Sequence, residues 1–168
     1  FALGCKIEPM DAYEMQYVAS IYSFILGGSP DSKLFQNVRE KSSLCYSIAS
    51  TIAPVTNSMF VYAGIDKKNY NKTLKEVLKQ IESMKNGEFT EQEIENAKTT
   101  FKSSIKELYD SEISLVSSMA SVEYLKYDTL EERIKKIDKV TKEEIIELAK
   151  KIKPDSVYLI KGVLDEKN

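Results

Sequence analysis

Residues 26–47 read LGGSPDSKLFQNVREKSSLCYS, and the fold of the whole chain turns on how that stretch is parsed. A glycine pair leads into a short helical pattern and then into an alternating one. The stretch also carries Arg39, in a chain whose 24 basic residues include only one other arginine, Arg133. Lysine would supply the same charge, whereas a guanidinium adds a planar fork of fixed donors.

Upstream, Met15, Val18, Ala19, Tyr22 and Ile25 recur at helical spacing, so a helix over 11–26 ends at Gly27-Gly28. Ser29-Pro30 fits an N-cap and a first-turn proline opening a short helix through Leu34, Phe35 and Val38. Residues 43–53 then alternate. Leu44, Tyr46, Ile48 and Ile52 take one face, and Cys45, Ser47, Ala49 and Thr51 the other. A second strand over 58–65, joined by the turn Pro54–Asn57, completes an antiparallel hairpin. Residues 2–8 form a further strand, closed by Pro9.

The second half is helical. Tyr70, Leu74, Val77, Leu78, Ile81 and Met84 form a stripe stopped by Asn86-Gly87. Thr90–Glu93 and Thr141–Glu144 are capping-box patterns opening two more helices, and helices over 111–126 and 129–138 lie between them. Pro154 is expected to break the last helix, with SVYLIKG from residue 156 as the closing strand. The order of elements predicts an α+β domain: a mostly antiparallel four-stranded sheet with helices packed on one face.

At 168 residues the chain is sized for a single domain, 1–168. A charged fraction of 30% beside 42% hydrophobic residues is ordinary for a globular fold, and a net charge of −2 offers no basic surface for nucleic acid. No apolar stretch approaches the roughly 20 residues of a membrane span. Cys5 and Cys45 form no CxxC pair. They are expected to be buried free thiols in a reducing compartment, the cytoplasm, with a disulfide as the alternative. The start at Phe1, in mid-strand, reads as a piece of a longer polypeptide.

The chain contains no histidine. That removes the commonest general base and metal ligand, and with them any His-dependent triad or H-x-x-E-H zinc site within these residues. There is no GxSxG, and Gly27-Gly28 lacks a following Gly-Lys-Ser/Thr. The acidic groups Glu91-Glu93-Glu95, Glu131-Glu132 and Glu143-Glu144 sit at helix starts, where the macrodipole favours them. No residue is assigned a catalytic or metal-binding role. The remaining candidates are Arg39 and Tyr46, which can converge at a helix–strand junction to hold peptide carbonyls or a carboxylate. Each also has a plain reading: Arg39 as a solvated charge paired with Glu40, Tyr46 as core packing. Gly27-Gly28 is read either as a left-handed helix stop or as a backbone cradle.

LGGSPDSKLFQNVREKSSLCYS resembles a stretch of the pitrilysin/insulinase family of zinc metallopeptidases, of the form LGGG–SSRLFQ–VREK–GLAYS. Gly27, Gly28, Ser32, Leu34, Phe35, Val38, Arg39, Glu40, Lys41, Leu44, Tyr46 and Ser47 match it in register. GEFTEQEIENAK, residues 87–98, is similar to the family's G.T.EEL..AK. The wording SPDSKLFQNVREK is also similar to the YfmF-like inactive bacterial paralogues. Cys45 and Ser29 depart from the pattern.

The resemblance implies a metallopeptidase half-domain of the LuxS/pitrilysin-like kind, equivalent to the C-terminal, non-zinc half. Arg39 and Tyr46 would then contact the substrate backbone, with Gly27 and Gly28 beside them. No cofactor is expected here, and zinc is expected on a partner half, in cis or in trans. The other expected partner is a peptide substrate, with neither nucleic acid nor membrane, and the isolated piece could pair as a homodimer. The alternatives are a scaffold domain of an inactive paralogue that handles no peptide, and an independent small-molecule-binding domain.

Overall fold

Strand sequences that alternate apolar and polar residues bury one face and leave the other open. In β1 (Ala2–Ile7) Leu3, Cys5 and Ile7 are buried while Lys6 is exposed. In β2 (Ser47–Ala53) Ile48 is buried and Ser47, Ala49 and Thr51 are exposed, and in β3 (Ser58–Gly64) Met59, Val61 and Ala63 are buried. The computed structural model, which describes residues 1–161, adds β4 (Ile152–Tyr158). The sheet order is β2-β3-β1-β4 with every neighbouring pair antiparallel, so β2 and β4 are its edges. Leu3 pairs with Val61 and Cys5 with Met59, which sets the inward side chains of the central strands side by side.

Helices cover the buried face. A π-helical turn, Glu14–Val18, runs into α1 (Ala19–Leu26), whose Ile21, Tyr22 and Leu26 are fully enclosed. α2 (Tyr70–Lys85) buries Val77, Ile81 and Met84, as its stripe predicts. α3 (Glu91–Glu107) buries Ile94, Ala97, Phe101 and Ile105. α4 (Glu112–Leu125) buries nothing, whereas α5 (Leu130–Lys136) and α6 (Lys142–Lys151) rejoin the core through Leu130, Ile145 and Leu148. The capping boxes at Thr90 and Thr141 are both formed, and Thr129 with Glu132 makes a third. Each satisfies two otherwise orphaned N–H groups at a helix start. None of the described helices is long and apolar enough to cross a membrane.

Three expectations are corrected. The strand expected over 43–53 begins only at Ser47, because residues 42–46 are spent ending the preceding helix. The closing strand does not wait for Pro154 to pass: it starts at Ile152, directly after α6, and runs through the proline. That is tolerable on an edge strand, where one side of the backbone needs no donor, and the register with β1 shifts between Gly4 and Cys5 at that point. Residue 162 of the expected strand lies outside the described residues. Finally, Gly27 is not left-handed. Its φ is −159°, and glycine is needed there because a Cβ would come within 2.5 Å of Ser50 Oγ and 2.8 Å of Ser50 N.

Both cysteines are free. Burial pushes the Cys5 thiol up to about 11, while Cys45 is only half-buried.

Candidate functional site

The helix that carries Arg39 is wide. Phe35–Lys41 forms a π-helical segment anchored by Val38, which is fully buried, with Leu34 enclosed just before it. Its termination sets the site. Ser43 adopts a left-handed conformation, φ 49°, and its N–H donates to Arg39 O at 3.0 Å. The Leu44 N–H donates back to Val38 O at 3.1 Å, so the chain reverses tightly out of the helix. Two residues later the Tyr46 N–H donates to Gly64 O at 2.8 Å, and the β2–β3 ladder begins.

This reversal brings Arg39 and Tyr46 into one cleft of 420 Å³, lined also by Cys45, Asp66 and Asn69. The Arg39 guanidinium carbon lies 4.4 Å from the centroid of the Phe35 ring, one turn earlier, and Nε is 3.6 Å from Glu40 Oε1. Its side chain is 41% exposed, so stacking orients the fork while leaving it reachable. The expected pairing with Glu40 is therefore present, and it leaves room for a ligand. Tyr46 is 71% exposed rather than packed in the core, because β2 begins only at Ser47 and Tyr46 stands ahead of the strand whose Ile48 is buried.

The Tyr46 hydroxyl donates to Asp66 Oδ1 at 3.1 Å. That hydrogen bond, reinforced by the carboxylate's charge, holds the phenol above its ordinary pKa. Asn69 Nδ2 donates to Leu44 O at 3.3 Å and ties the loop before α2 to the turn. Burial raises the Cys45 thiol, with the Arg39 charge pulling the other way. Asp66 and Asn69 were not singled out from the sequence. Asp66 stands beside two lysines ahead of a helix and reads as a loop residue. Only the hairpin register places it opposite Tyr46.

Gly27 and Gly28 do not line this cleft. Gly27 O accepts from the Ser50 N–H at 3.3 Å, covering part of the β2 edge, and Gly28 lines a separate cavity with Phe24 and Phe101. The arrangement offers guanidinium donors, a phenol oxygen and carboxylates within one open cleft, a set suited to backbone carbonyls and N–H groups. It holds no set of metal donors. The chain has no histidine, and among the described residues no group of three or more His, Cys, Asp or Glu is placed to hold an ion. Zinc therefore does not fit these residues.

Residues 1–101 match the family model described as the peptidase M16 inactive domain, and the chain belongs to that family. It is 36% identical over 147 residues to a Bacillus subtilis protein named as a probable inactive metalloprotease, YmfF rather than YfmF; the match covers 84% of this chain and 34% of the relative. A conserved protein of Enterococcus faecalis superposes with a TM-score of 0.83 at 33% identity, over 91% of this chain and 36% of that one. The peptidase M16 inactive domain from Pseudomonas fluorescens does so at 0.74 and 20%, over 90% of this chain and 39% of that one. The chain thus spans about a third of the length of the curated relatives it matches.

Proposed function

We propose that this domain is the non-catalytic half of a two-part zinc peptidase, completing its substrate chamber and holding extended peptide backbone through Arg39 and Tyr46. The single observation that carries the reading is their convergence in one open cleft, with the guanidinium oriented by Phe35 and the phenol by Asp66. The Arg39 fork donates to a peptide carbonyl. The Tyr46 oxygen, its own hydrogen held by Asp66, accepts a peptide N–H. Zinc and a glutamate on the partner half would supply the hydrolytic chemistry. Two cysteines outside any disulfide support a reducing, cytoplasmic setting.

A second reading, a scaffold without peptide handling, draws on α4. Its Ile113, Val116, Met119 and Tyr124 are exposed along a helix that buries no residue, which suits an assembly surface. Peptide binding separates the two. Fluorescence anisotropy of a labelled extended peptide is measured on the assembled halves with zinc chelated. Arg39→Ala and Tyr46→Phe each weaken binding by about tenfold if the cleft is a clamp. Unchanged affinity in both variants leaves the scaffold reading.

A further inference from the structure

Arg133, the chain's other arginine, stands in a second cleft that shares no residue with the first. It projects from α5, and its guanidinium carbon lies 5.3 Å from the centroid of the Phe101 ring on α3. Its Nε is buried without a hydrogen-bond partner. The neighbouring carboxylate, Asp128, is already engaged: the Tyr17 hydroxyl donates to Oδ2 at 2.5 Å and Lys136 Nζ to Oδ1 at 2.6 Å. Arg133 forms no salt bridge among the described residues.

The guanidinium marks the junction of two cavities, of 330 and 520 Å³, which also share Ser20, Pro54 and Leu108. One is walled by Phe24, Ile52 and Ile105, the other by the inner side of α4. A partly desolvated charge without a partner is costly, and a buried N–H left unbonded adds to that cost. A lysine would bend its ammonium out to water, whereas a guanidinium stacked on a ring keeps its fork in place. The site therefore combines fixed cationic donors with an apolar wall.

We propose that the Arg133 cleft binds a carboxylate carried on an apolar stem. The carboxylate receives the terminal N–H groups of the guanidinium fork, and the stem lies along Ile52, Ile105 and Leu108. A monoanion fits better than a phosphate dianion. Lys136 is already paired with Asp128, so only one positive charge is free to answer the ligand. The stem can belong to a small amphiphile or to the C-terminal residue of a peptide, and the two are distinguishable.

With only two arginines, the chain gives two Arg Nε–H resonances, assigned by replacing Arg39 with lysine. The probes are decanoate, decanol, and a peptide ending in leucine as the free acid or as the amide. The Arg133 Nε–H resonance is expected to move on adding decanoate, the free-acid peptide, or both, and to ignore decanol and the amide. A response to decanoate alone identifies the small amphiphile, and a response to the peptide alone identifies a chain terminus. Arg133→Met, which keeps the apolar bulk, is expected to lose at least about tenfold in affinity while its melting temperature stays level. Equal binding of decanol and decanoate, full affinity in Arg133→Met, or an Nε–H that no acid moves would each overturn the proposal. The resonance readout on the native chain stands even where the variant does not fold.

Discussion

Tyr46 and Asp66, twenty residues apart, meet across the start of the β2–β3 hairpin, with the phenol donating to the carboxylate at 3.1 Å. The tyrosine's one hydrogen is therefore committed within the resting domain, and what it offers a ligand is its oxygen. Replacing Asp66 with alanine is expected to lower the Tyr46 pKa toward the ordinary value of about 10, read by ultraviolet titration of the phenolate against Tyr46→Phe. The sign is fixed by the direction of the shift. A pKa raised on folding adds stability below the unfolded value, and that contribution disappears as pH rises through the folded one. An unchanged titration in Asp66→Ala would show that the hydrogen bond does not persist in solution.

Ser43 holds a left-handed conformation, φ 49°, that β-carbon-bearing residues enter at a cost. The family pattern LGGG–SSRLFQ–VREK–GLAYS carries glycine at this position. Ser43→Gly is expected to stabilise the domain by about 0.5–1 kcal/mol, measured by urea denaturation. Destabilisation would mean that the serine side chain contributes more than its backbone costs.

Gly27 is needed for space. Its carbonyl accepts from the Ser50 N–H, and a Cβ would sit 2.8 Å from that same nitrogen. Gly27→Ala is expected to destabilise by about 1–3 kcal/mol, as overpacking does. A neutral result in the same denaturation series would show that β2 moves away freely.

Asp128 predicts an acid limb. Its hydrogen bond from Lys136, then that from Tyr17, lower its pKa. A depressed carboxylate pKa gives stability that is complete above the unfolded value, about 3.9, and that fades as pH falls through the folded one. The melting-temperature gap between the native chain and Asp128→Asn is therefore expected to be widest near neutral pH and to close below about pH 4. A gap constant down to pH 2 would rule out the ion pair as its source.

Much of the fold was legible because local chemistry and tertiary placement agree. The alternation of Leu3, Cys5 and Ile7, and the threonines three residues before glutamates, state their own structure. Arg39 and Tyr46 were legible as a pair for the same reason, since a short helix running into a strand brings them to one junction. What was not legible depends on one backbone conformation or on a distant register. The helix stop at the left-handed Ser43 delays β2 to Ser47, so Tyr46 stands ahead of the strand and counting by twos from Ile48 does not place it in the core. Asp66 becomes a partner only when Ser47 pairs with Gly64. Pro154 reads as a breaker until β4 is known to be an edge.

The measurement that bears most directly on the central claim is kcat/KM for zinc-dependent cleavage of a fluorogenic peptide by the complete protein with its zinc-bearing half. The zinc-bearing half is the partner proposed above, and the comparison is between native Arg39 and Arg39→Ala. The side chain is half-exposed, and substitutions at such positions typically change stability by no more than about 0.5 kcal/mol, so the melting temperature is expected to hold. A clamp predicts that kcat/KM falls at least about tenfold in that folded variant. Equal kcat/KM at an equal melting temperature would contradict it and leave Arg39 a surface charge stacked on Phe35.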